Sequence, residues 1–77
     1  MPHQEHVVLS SIKLKETSPV VNRSLRDTDI RHDFYSMIVK MQRGEEFFQP
    51  GPDLILQPGD VIWVVGDPNF FPQLKGK

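Results

Sequence analysis

Four sets of polar residues in this 77-residue chain could do chemistry. The first is Asn22-Arg23-Ser24. An arginine beside an amide and a hydroxyl offers donors that suit a phosphate. Serine is also a residue type that opens helices, where free N–H groups collect. Asn22, Arg23 and Ser24 are therefore the candidate ligand-binding residues. The second set is His32-Asp33, which could pair a base with its orienter. Adjacent side chains do not face each other usefully, however, and no nucleophile is evident, so no catalytic residue is expected. The third is the carboxylates Glu45, Glu46, Asp53 and Asp60, which lie on different turns without the spacing that gathers oxygens around a divalent cation. The last is His3 and His6, which would need further ligands, and none is near in sequence. No metal site and no cofactor are expected.

The totals narrow the class. Seventy-seven residues make one domain, taken as 1–77, with residues 1–6 a polar lead-in expected to be disordered. A chain of this size buries only about 60% of its unfolded surface. With a hydrophobic share of 38%, that favours added burial from a second copy, a homodimer. There is no cysteine, so disulfides, thiolate chemistry and cysteine-based zinc sites are excluded. A net charge of −1 argues against a nucleic-acid partner, which usually selects a basic excess. The longest apolar run falls far short of the roughly 20 residues that cross a bilayer, and the first six residues form no signal-peptide core.

The elements that must position these residues centre on 53–66. Val61–Val65 is five consecutive apolar residues, four of them β-branched, which fits a strand covered on both faces. Pro58-Gly59 makes the turn before it, with Asp60 accepting backbone N–H groups there while its charge keeps the tip in water. Leu54–Leu56 is expected to pair back across that turn as a hairpin. Upstream, Val7–Lys15 alternates as a first strand with Val8, Ser10, Ile12 and Leu14 on its core face. Ser24 with Asp27 resembles a capping box for a helix over Leu25–Ile30, followed by a polar loop at Arg31–Asp33. Phe34–Arg43 is a second strand with Tyr35, Met37, Val39 and Met41 on one face. A turn at Gly44 leads to a third strand, Glu46–Gln49, with one phenylalanine on each face. Asp67 and Pro68 open a final helical turn whose Phe70, Phe71 and Leu74 face the sheet. The expected fold is α+β: a small two-layer domain with a mostly antiparallel sheet of four or five strands, one short helix after the first strand and a terminal helical turn.

From Ser18 to Leu74 the chain resembles the C-terminal domain of the TrkA/RCK family, the regulator-of-potassium-conductance module. Four ordered segments carry the likeness: Ser18–Leu25, Met37–Glu45 with its Arg43-Gly44, Gln49–Leu56, and Leu56–Gly66 with Gly59-Asp60 before the apolar strand. The chain departs at Asn22, where the family often has glycine, and at Thr28, where it often has leucine. The resemblance implies a cytoplasmic regulatory domain, soluble at the inner side of the cell membrane. It would serve a transmembrane potassium channel or cation/proton antiporter of the same or an associated protein. It also implies homodimers that bind a small nucleotide, such as cyclic di-adenosine monophosphate, or a cation near the dimer interface, bordered by the Asn22-Arg23 region. The alternative is a structural dimerisation domain without ligand. No Gly-x-Gly-x-x-Gly is present, so the dinucleotide-binding domain that accompanies this module in the family is absent, which suggests a piece of a longer transporter-linked protein.

Overall fold

A computed structural model describes residues 7–77. The expectations for residues 1–6, fraying and the His3–His6 pair, lie outside the described residues. Four strands form one antiparallel sheet: β1 (Val8–Lys13), β2 (Ser36–Arg43), β3 (Glu46–Phe48) and β4 (Val61–Gly66), in the order β1-β4-β2-β3. The apolar run is thus central, paired with β1 on one edge and β2 on the other. Its burial alternates, however. Ile62, Val64 and Gly66 are buried, whereas Val61, Trp63 and Val65 are half-buried. Within one protomer only one face of the ribbon is fully covered. The other carries apolar side chains towards solvent, which corrects the expectation of cover on both faces.

Strand β2 shows why its alternation misleads. Ile38 lies opposite Val64 and Lys40 opposite Trp63, so Val39 is an extra residue, a β-bulge. The bulge shifts the inward set by one. Ser36 and Ile38 turn inward before it and Met41 after it, with Ser36 and Met41 buried and Ile38 half-buried. Tyr35, Met37 and Val39, expected to share a face with Met41, are exposed.

The short helix also moves. Ser24 is extended and caps no backbone N–H; Leu25–Asp27 is a single 3-10 turn, and Thr28 is extended again. The reason lies in the backbone bonds. Asn22 N–H donates to the Leu56 carbonyl (2.6 Å), Leu25 N–H to that of Leu54 (2.9 Å) and Arg26 N–H to that of Pro52 (3.0 Å). Amides that a helix start would leave free are spent on the 52–56 segment, and a helix over Leu25–Ile30 has no place. The same bonds correct the hairpin: Leu54–Leu56 pairs with 22–25, through a single bridge between Ser24 and Ile55, and not with β4. Helix α1 forms instead at Ile30–Phe34, where a loop was expected, capped by Asp29 and ended by Tyr35 at φ 49°.

The C-terminal end starts as expected, but of the three residues expected to face the sheet only Phe71 and Leu74 pack on the core, and Phe70 lies against the exposed Tyr35 ring, centroids 5.0 Å apart. Asp67 accepts from Asn69 N–H, Pro68 opens a 3-10 turn, and α2 spans Phe71–Lys75 with Leu74 fully buried. The Ser18 hydroxyl donates to the Leu74 carbonyl (2.6 Å), tying α2 to the chain after β1. The core lies between the inner face of the sheet and these helical turns, built on Ile12, Leu14, Met41, Leu56, Ile62 and Val64.

Candidate ligand cleft beside the Asn22–Ser24 segment

Asn22, Arg23 and Ser24 sit on the strip that pairs with 54–56. Asn22 is exposed at φ 64°, a left-handed conformation that glycine adopts without strain. Arg23 is exposed and its guanidinium donates to the Asp27 carbonyl (3.2 Å); the Ser24 hydroxyl donates to the Asp27 carboxylate (3.0 Å). The three residues are contiguous in space, and two of them are tied to Asp27.

An apolar cleft of about 230 Å³ begins at the next residue. It is lined by Leu25, Thr28, Asp29, Ile30, Arg31, Ser36, Met37, Ile38 and Pro50. The 3-10 turn gives one wall, the start of α1 a second, and β2 before its bulge a third. The bulge turns Ile38 inward, so the cleft depends on it. Arg31 also borders an adjoining hollow of about 320 Å³ with Tyr35, Ser36, Met37 and Gly66, so one residue lines two concavities. Sequence reasoning passed over Arg31, Met37 and Pro50. Only the bulge brings β2 to this place, and nothing local in the sequence marks it.

The other polar sets resolve into pairs. Arg43 and Asp60 form a two-pronged ion pair, Nε to Oδ1 at 2.9 Å and a terminal nitrogen to Oδ2 at 2.8 Å. Asp60 also accepts from Gln57 N–H (2.8 Å) across a turn in which Gly59 has φ 91°. The turn and the role of Asp60 in accepting its N–H are as expected. Asp60 is nevertheless buried, 2% exposed, and does not hold the tip in water. Arg43 also donates to the Ile55 carbonyl (2.9 Å), so it clamps the end of β2 to the 55–60 loop. The hydrogen bonds that it donates to Asp60 raise the Arg43 pKa. Asp53 pairs with Arg26 at 2.8 Å. Among the described residues no group of three or more histidine or carboxylate side chains is placed to hold a metal ion. His32 and Asp33 do face each other, Nδ1 to Oδ1 at 3.2 Å, contrary to expectation. Both are exposed on α1, and Asp33 is the main cause of a raised His32 pKa.

A four-stranded antiparallel sheet, backed on one face by helical turns and carrying an apolar cleft that Arg31 helps to line, defines a small α+β domain. The chain belongs to the TrkA-C domain family, which matches residues 9–75. It is 34% identical over 65 residues to probable potassium channel protein 2 of Methanocaldococcus jannaschii, covering 83% of this chain and 19% of that protein. Among solved structures it is similar to the RCK C domain of the potassium transport protein KtrA in complex with cyclic di-adenosine monophosphate. There the identity is 29% and the TM-score 0.70, over 83% of this chain and 74% of that one. It is also similar to the RCK C domain dimer of Streptococcus agalactiae BusR in complex with the same dinucleotide, at 26% identity and TM-score 0.74, over 87% and 90%. BusR bound to its busA-promoter DNA matches at 25% identity and TM-score 0.75, over 97% of this chain and 38% of BusR. The chain thus spans about a fifth of the curated channel protein it matches. No helix among the described residues is long and apolar enough to cross a membrane.

Proposed function

We propose that this chain is a dimerising, ligand-sensing regulatory domain of a potassium or other monovalent-cation transport protein, working at the cytoplasmic side of the membrane. The observation that carries the reading is the apolar cleft rimmed by Arg31, within a fold shared with two domains solved with cyclic di-adenosine monophosphate. At about 230 Å³ the cleft of one protomer is smaller than the 300–1,000 Å³ usual for a small-molecule site. Two copies related by a two-fold axis would join two such clefts, which suits a ligand that is itself two halves. Apolar walls would take the bases, and the two Arg31 guanidiniums would take the phosphates. Asn22, Arg23 and Ser24 flank the cleft one residue away and would contact the ligand's edge. The Arg23 and Ser24 bonds to Asp27 would hold that edge in place.

Calorimetric titration with cyclic di-adenosine monophosphate, alongside sedimentation of the free and loaded protein, tests this. Expected are saturable binding at one dinucleotide per two chains and a sedimenting dimer. Arg31→Ala should weaken binding about a hundredfold, as loss of a charged hydrogen-bond partner does. Arg23→Ala should weaken it less. A flat titration with the dinucleotide, other nucleotides and divalent cations, on a protein that still dimerises, would leave a dimerisation domain without ligand.

A further inference from the structure

The outer face of the sheet carries a second hollow, whose lining shares no residue with that of the cleft, although Met37 of the cleft, opposite Val65, stands on the same face. Leu9 of β1, Trp63 of β4, Val39 and Lys40 of β2 and Phe47 of β3 line a hollow of about 410 Å³ there. Leu9 is 64% and Phe47 54% exposed. The rings of Phe47 and Trp63 stand 5.9 Å apart, and Lys40 Nζ lies 4.4 Å over the Phe47 ring. Lys13, two residues along β1 from Ser11, which is registered opposite Trp63, falls on the same face. Strand alternation puts Glu46, next to Phe47 and opposite Arg43, on the other face. Among the described strand residues this apolar face therefore carries lysines and no carboxylate.

We propose that this face docks an amphipathic α-helix whose apolar ridge is bordered by carboxylates. A helix laid on a sheet is the ordinary way to bury a sheet's apolar face. The hollow calls for a ridge, and a helix supplies one with residues at i, i+3, i+4 and i+7. The charge selects among occupants. A second copy related by a two-fold axis would set this face against its own copy, lysine-bearing on both sides and with no strand carboxylate to meet Lys40. A bilayer is flat, and the cation here sits inside the concavity instead of at its border. Carboxylates along a helix would reach Lys40 and Lys13 while apolar side chains cover Trp63 and Phe47.

Trp63 is the only tryptophan and reports occupancy directly. Its emission is followed while the chain is titrated with a designed helical peptide of that leucine spacing flanked by glutamates, and with a twin flanked by lysines. Phosphatidylcholine vesicles containing phosphatidylserine are a third probe, and sedimentation velocity of the chain alone is run beside them. Expected are a blue shift with the glutamate peptide and binding at least about tenfold weaker with its twin. Lys40→Glu should reverse that order, and Phe47→Ser should abolish the shift while circular dichroism shows both variants folded. Equal response to both peptides, no response to either, a vesicle response as strong as the peptide's, or self-association that Phe47→Ser removes would each overturn the proposal.

Discussion

Asp60 shows what one residue does in so small a domain. Its carboxylate is buried and accepts from Arg43 twice and from Gln57 N–H once. Removing one partner of a buried pair strands the other charge without compensation, at about 3–5 kcal/mol. The Arg43 side chain is 34% exposed, so water relieves part of this. Arg43→Ala is expected to lower stability by about 2 kcal/mol, roughly a 10 °C fall in melting temperature for a domain of this size. Thermal denaturation followed by circular dichroism reads it. An unchanged melting temperature would mean that the pair contributes nothing. His32 makes a milder point. Its pKa is raised above the ordinary 6.5, chiefly by the Asp33 hydrogen bond and then by the charges of Asp29 and Asp33. A raised value means that the folded state binds the proton more tightly. The associated stability is therefore fully present below pH 6.5 and is lost as pH rises through the folded value. An NMR titration of His32 should give a midpoint above 6.5 that falls towards it in Asp33→Asn. An unmoved midpoint would assign the shift to another cause.

At the scale of elements, what could be read from the sequence was what local chemistry decides. The strand at Val61–Gly66, the glycine turns at 44 and 59 and the Asp67-Pro68 start of the last turn each follow from residues within a few positions of one another. What could not be read depends on distant partners. The bulge at Val39 is set by register against β4, and the loss of the expected helix over Leu25–Ile30 by amides that bond to 52–56. The Arg43–Asp60 clamp spans 17 positions with no local mark. The site residues divide the same way: Asn22–Ser24 stand out by type, whereas Arg31 reaches the cleft because α1 packs beside β2, which nothing local to it marks. The β2–β4 contact is also where tolerance is least. A Cβ at Gly66 would fall 2.5 Å from the Ser36 hydroxyl oxygen and 2.6 Å from Ser36 Cα, and would strike the Tyr35 carbonyl. Gly66 lies opposite Ser36 in the register, and both are buried. Two of these three atoms are backbone of the Tyr35–Ser36 segment, which cannot swing aside as the end of a long side chain would. Gly66→Ala is therefore expected to lower stability by about 3 kcal/mol, at the upper end of overpacking effects. Gly51→Ala, which meets nothing within 4 Å, should be nearly silent. Equal urea midpoints for the two variants would show that β4 and β2 can separate without loss.

For the whole molecule the balance lies between a small core and a large apolar exterior. Met37, 50% exposed, lines the cleft itself, and Tyr35, 62% exposed, lines the hollow that adjoins it. A chain that buries only about 60% of its unfolded surface has little stability to spare, so cover by a second copy should show directly in its melting behaviour. If the cleft side forms the proposed dimer, the melting temperature should rise with protein concentration. Tyr35→Ser/Met37→Ser should flatten that dependence while leaving the melt of the dilute protein nearly unchanged. Cyclic di-adenosine monophosphate should add roughly 2.7 kcal/mol at a hundred times its dissociation constant. The two effects are linked, because a ligand held by two clefts binds only the paired state. The double variant should therefore lose most of the ligand's stabilisation even though neither side chain carries charge. A ligand shift that survives in a protein shown by sedimentation to be monomeric would place the dinucleotide on a single protomer and separate sensing from dimerisation.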